Sequence, residues 1–233
     1  MLEEKSYGYF DKRHSRIIEH LAESRNPRWN DEIKYGLRHL IPLLYWRSPA
    51  SDDHFKSKIA EAKTIHEFGL EAIDTKNQKV VDDPNQHKEF LADPNFQKSI
   101  RMTYAHSMVH NPDSFDINPS HEWRLIYHEE DCIANVTSDN PIVFYRNPDL
   151  GGNIMGSQLI PISPTRTLLR LNENYKGNYH NQFIQNLAVV DQAIRYVICS
   201  DKEYLTRLIQ AYEKIKLSDV LNDLKFDVFG LYE

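Results

Sequence analysis

The run Thr137-Ser138-Asp139-Asn140-Pro141 holds the residue types of this chain best suited to chemistry. An aspartate in a turn ordinarily accepts from the backbone N–H two residues later. Here that residue is Pro141, which has no N–H, so Asp139 must find another partner. Asn140, preceding a proline, is pushed into an extended conformation, and the chain should leave directly into a strand over Ile142 to Tyr145. Upstream, Glu122 to His128 and Cys132 to Ser138 each alternate in character, with Glu129-Glu130-Asp131 between them as a three-residue turn. A hairpin closed there sets Glu122 opposite Ser138 and His121 opposite Asp139. On that pairing Asp139, His121 and Glu122 are the candidate catalytic residues. A carboxylate at a strand end beside an imidazole and a second acid could act as a base, orient a polar ligand or hold a divalent cation through oxygen ligands. A one-residue slip would undo the pairing. The competing reading is structural, with Asp139 and Asn140 tying loops together through Arg47 or Arg195.

Other reactive residue types carry weaker signals. His106 and His110 stand four apart in His-Ser-Met-Val-His, a spacing that lets two imidazoles share a zinc ion, but the glutamate of a metalloprotease helix is missing. They read as surface or core histidines, and the sequence assigns no metal site and no cofactor. Glu129-Glu130-Asp131 reads as a solvated turn. Cys132 lies beside acids that disfavour a thiolate, which makes it structural. The phosphate-binding glycine motifs and the Gly-x-Ser-x-Gly elbow are absent.

The elements that must position these residues follow from periodicity. Helical spacing runs over Asp11 to Arg25, Asn30 to Trp46, Ser51 to about Ile73 and Asn95 to His110, with Pro42 predicting a kink or break near Arg38 to Pro42. Asp74 to His87 reads as a polar surface loop. Five strands follow, over 122–128, 132–138, 142–145, 158–162 and 167–171. Helices return from Asn181 to Cys199 and after Asp201, and the tail from Asp219 to Glu233 is expected to pack. The fold class is α+β: a helical N-terminal half, a central mostly antiparallel sheet of about five strands and C-terminal helices packed on the sheet. One domain over 1–233 is expected, helical in 1–112, sheet in 121–172 and helical again in 179–233.

Composition limits the function classes. Of the 233 residues, 40% are hydrophobic, enough to bury a core, and 28 Lys+Arg against 34 Asp+Glu give a net charge of -6. That balance argues against non-specific binding to nucleic acid or anionic membranes. Lys12, Arg13, Arg16, Arg25 and Arg28 gather around Trp29, so nucleic acid stays conceivable there, although nearby acids favour a solvated face. Two cysteines without metal or redox spacing, no signal-peptide layout and no membrane-length apolar run lead to the expectation of a soluble cytoplasmic protein.

The stretches WRLIYHEEDCIANVTSDNPIVFY, LIPISPTRTLLRL and QNLAVVDQAIRYVICS, in that order, resemble domain of unknown function 4238, a family of bacteria, archaea and fungi. Tyr-Trp-Arg-Ser-Pro at Tyr45 to Pro49 is similar to the family's helical region, whereas its opening His-Tyr-Val-Pro-like segment has no counterpart in Met1 to Phe10. Ser138, Asp139, Asn140, Pro141, Pro161, Ser163 and Pro164 stand at the motif positions, and the family's closing helix carries an Asn and an Arg. The resemblance implies no reaction. Ser138, Asn140, Arg47, Arg195 and Asn186 are the residues expected to bind a ligand beside the catalytic candidates. Three functions remain open: a metal-assisted or acid/base hydrolase, with a phosphodiester as the guessed substrate; a non-catalytic module gripping a polar ligand or a protein partner; and a structural remnant.

Overall fold

A computed structural model of the chain describes residues 2–24, 27, 29–110, 121–129, 133–144, 156–172, 175 and 177–229. The N-terminal half is helical: α1 (Leu2–Glu23), α2 (Asp31–Arg47), α3 (Ala50–Glu61), a 3-10 turn (Ile65–Phe68), a small hairpin of β1 (Ala72–Asp74) and β2 (Lys79–Val81), α4 (Pro84–Ala92) and α5 (Pro94–His110). Asn30 starts α2 by accepting the Ile33 N–H at 2.9 Å, and Asp31 and Glu32 favour the positive end of the helix. Of the kink or break expected near Arg38 to Pro42, the break does not occur: α2 runs through Pro42. Leu37, Leu40, Ile41, Leu43 and Tyr45 are all buried around it, and their burial outweighs the roughly 3 kcal/mol that an internal proline costs.

α3 stops at Glu61, well short of Ile73. Glu67 Oε1 accepts the N–H groups of Lys63 and Thr64 at 2.7 and 3.1 Å and so opens the 3-10 turn instead. Gly69 closes that turn at φ 68°, a left-handed conformation that suits glycine. The segment expected to be a loop from Asp74 to His87 contains most of the β1–β2 hairpin and the first turn of α4. Asp83 accepts the Asn85 N–H at 2.9 Å and Pro84 occupies the first helical position.

The main sheet has the order β3-β7-β6-β5, with β3 His121–Tyr127, β5 Val143–Phe144, β6 Gln158–Ser163 and β7 Arg166–Asn172, antiparallel throughout. One face, with Trp123, Leu125, Leu168, Ile160, Phe144 and Ile142, packs on the core formed with α1, α2 and α3. The other, with Ile126, Leu169, Leu171, Leu159 and Val143, packs on α6 (Gln182–Gln192), α7 (Lys202–Ile215) and α8 (Val220–Phe229). The expected α+β class holds. Among the described residues no helix is long and apolar enough to cross a membrane.

The expected hairpin between 122–128 and 132–138 is corrected. β3 pairs along its whole length with β7, from His121 opposite Asn172 to Tyr127 opposite Arg166. Among the described residues of the second segment only Thr137–Ser138 (β4) is strand, and it pairs with β8 (Val197–Ile198) in a separate two-stranded sheet. Alternation fixes which face a side chain takes but not which strand lies alongside. The apolar Thr167 to Leu171 is the better partner because it buries Trp123 and Leu125 on one face and Ile126 on the other. The register that set His121 opposite Asp139 and Glu122 opposite Ser138 is therefore not formed.

Candidate metal centre

His66, Asp82 and His87 bring their ligand atoms within 4.8 Å of one another. Three separate elements deliver them: the 3-10 turn carries His66, the end of β2 presents Asp82, and the first turn of α4 holds His87. Asp82 Oδ1 stands 3.6 Å from His66 Nε2 and 3.6 Å from His87 Nε2. In a tetrahedral site with metal–ligand bonds of about 2.1 Å, neighbouring donor atoms sit about 3.4 Å apart. The two distances from Asp82 are thus close to the donor spacing around a zinc ion, and the third pair lies within 4.8 Å.

The two imidazoles are held differently. His66 Nδ1 lies 3.0 Å from the Leu70 carbonyl, to which it donates its proton, leaving the Nε2 lone pair toward Asp82. This is the outer hydrogen bond that metal-binding histidines ordinarily make. His87 is 1% exposed, and its Nε2, aimed at Asp82, has no hydrogen-bond partner. Its Nδ1 accepts the Ile65 N–H at 3.4 Å, a long contact. Metal at Nε2 would move the ring proton to Nδ1 and give up that contact. The rings lie 4.9 Å apart at a tilt of 59°, and Asp82 is largely exposed, so one side of the cluster is open to solvent.

The sequence reading missed this site because it took Asp82 to His87 as loop. Asp83-Pro84, a helix cap followed by a proline at the first helical position, was the available signal: it places His87 on a helix one turn from Leu91, on the buried side. The side chains of His106 and His110, the spacing pair, lie outside the described residues.

The residues around Asp139 are brought together with other partners. Asp139 Oδ1 and Oδ2 accept the backbone N–H groups of Ile194 and Arg195, each at 3.0 Å. Arg195 thus meets Asp139 through its main chain, while Arg47 pairs with Asp11 at 3.0 Å. Ser138 Oγ donates to the Asn140 carbonyl at 2.8 Å, and Asn140 Nδ2 donates to the Gln192 carbonyl at 3.1 Å. Asn186, also buried, accepts the Val136 N–H at 3.0 Å and donates to the Ala134 carbonyl and the Tyr204 hydroxyl. Burial holds the Tyr204 hydroxyl up at about 12 although the Asn186 bond favours its ionised form, so it serves here as a neutral hydrogen-bond partner. The side chains of His121 and Glu122 lie outside the described residues.

Thr137, Pro161, Ser163 and Pro164 line a cleft of about 430 Å³ with Ile198 and Cys199. Its walls are mainly apolar, and the Cys199 sulfur accepts the Asp201 N–H at 3.5 Å.

Residues 1–203 match the model of a family described as a protein of unknown function, DUF4238. No curated protein and no solved structure matches the chain.

Proposed function

The chain belongs to the DUF4238 family, whose description names no reaction, and we propose from its own geometry that it binds a divalent transition-metal ion through His66, Asp82 and His87. The observation that carries this reading is His87 Nε2, buried, without a hydrogen bond, 3.6 Å from the Asp82 carboxylate and within 4.8 Å of a ring nitrogen of His66. Two nitrogens and one carboxylate oxygen suit zinc better than calcium or magnesium, which prefer oxygen sets. Three protein ligands leave a fourth position for water on the side where Asp82 is exposed. Zinc lowers the pKa of such a water to about 7, which makes a neutral-pH nucleophile and supports metal-assisted hydrolysis as the reaction class. The roles follow: His66 and His87 anchor the ion, and Asp82 neutralises part of its charge.

The test is calorimetric titration of the chelator-treated chain with zinc, beside metal analysis of the protein as purified. One equivalent should bind, with His87→Gln and Asp82→Asn weakening it at least tenfold and leaving the folded spectrum intact. Zinc affinity equal in wild type and both variants would sink the site. The zinc-loaded chain is then offered bis(p-nitrophenyl) phosphate. Tight zinc binding with no turnover above the His66→Gln variant would leave a metal-binding protein and overturn the hydrolase class.

A further inference from the structure

Arg170 of β7 is completely buried, and none of its three guanidinium nitrogens has a hydrogen-bond partner among the described residues. It sits on one rung of the sheet between Trp123 of β3 and Gln158 of β6, on the face that packs toward the N-terminal helices. The guanidinium lies over the Trp123 ring, 5.7 Å from its centre. A ring face offsets only a small part of the cost of stripping water from a cation. A charge that acts on Arg170 from α2 is Arg38, which has the same sign. Burial first and Arg38 second push its pKa down to about 10. Arg38 is half-buried, its Nε lacks a partner, and it forms no ion pair with a described residue.

Arg166, four residues earlier on the same face of the same strand, shows what a buried arginine here ordinarily does. It donates to the carbonyls of Leu21, Glu23 and Ser24 at the end of α1. The strand position therefore does not forbid partners; Arg170 and Arg38 lack an anion among the described residues.

We propose that Arg38 and Arg170 form the receiving half of a binding site for a phosphate group, at the seam between α2 and the sheet. Two guanidinium forks of fixed charge match a doubly charged oxyanion with several acceptor oxygens better than they match one carboxylate. The half-buried Arg38 is the contact from solvent. Arg170 has no exposed surface, so phosphate meets Arg38 first and Arg170 turns from the Trp123 ring to join it. This site is separate from the metal centre and does not depend on it.

Inorganic phosphate is titrated into the full chain with ionic strength held constant by chloride and a chelator present throughout, following thermal unfolding and tryptophan fluorescence. The wild type should show a saturable rise in Tm and a fluorescence change that Trp123→Phe removes. Arg170→Met should abolish the phosphate response and, without phosphate, unfold at a higher temperature than wild type, because an unpaired buried charge has been replaced by an unbranched apolar chain. Arg38→Gln, at a half-buried position, should weaken phosphate at least tenfold, which keeps the test decisive if Arg170→Met does not fold. No saturable response in the wild type, or a response unchanged in Arg38→Gln, overturns the site. An equal response to acetate at the same concentration overturns the phosphate assignment.

Discussion

The carboxylate of Asp139 grips the main chain at Arg195: Oδ2 accepts the Arg195 N–H at 3.0 Å while Oδ1 accepts that of Ile194 at 3.0 Å. These amides follow the end of α6, whose last turn closes with the Ala193 N–H on the Val190 carbonyl. One acid therefore clamps the turn between α6 and β8 onto the strand end that carries it. Removing the clamp should cost stability: Asp139→Ala is expected to lower the unfolding free energy by about 1–2 kcal/mol, since two charge-assisted bonds are lost at a partly exposed site. Urea denaturation checks this. Zinc affinity at His66, Asp82 and His87 should not change.

Asn186 should matter more, because its partners are more deeply enclosed. It satisfies the Val136 N–H, the Ala134 carbonyl and the Tyr204 hydroxyl at once, and the residue itself is 1% exposed. Asn186→Ala leaves these groups without their protein partner and should cost about 3 kcal/mol, read as a lower denaturation midpoint at unchanged slope.

Arg166→Met should move stability in the opposite direction from Arg170→Met. Arg166 donates to three carbonyls at the C-terminal end of α1, where positive charge is favoured, and its guanidinium also covers the Tyr127 ring at 5.2 Å. Its loss is expected to cost about 2–3 kcal/mol by thermal or chemical unfolding. Equal effects at the two arginines would contradict the contrast in their surroundings.

Acidification should destabilise the fold through His14 and His128. Burial lowers both below the ordinary histidine value; Asp11 opposes this at His14 and the Gln185 bond opposes it at His128. As pH falls through about 6.5, the unfolded chain takes up protons that the folded chain refuses. Their contribution to stability is thus complete above that pH and declines below it. The urea midpoint should fall between pH 7.5 and 5.5, and a His14→Gln/His128→Gln double variant should lose less over the same interval.

Zinc binding should release protons and strengthen with pH, because His66 and His87 must both offer an unprotonated Nε2. Calorimetry in two buffers of different ionisation heat would show a net proton release on zinc binding, and an affinity independent of pH would argue against imidazole ligands.

Local signals in the sequence reach three or four residues, and what they determined is local. Asn30, Asn181 and Asp201 each start a helix by accepting the N–H three residues on. The alternation in β3 and β7 sorted their side chains correctly between two cores, and Pro141 denied Asp139 its usual turn bond. Which partner Asp139 then took was decided 55 and 56 residues away. The pairing of β3 with β7, the meeting of His66, Asp82 and His87 from three elements, and the burial of Arg170 without an acceptor were likewise decided by the tertiary structure. Periodicity tells a side chain which face to occupy; which groups meet across that face depends on long-range packing that no short window of sequence contains.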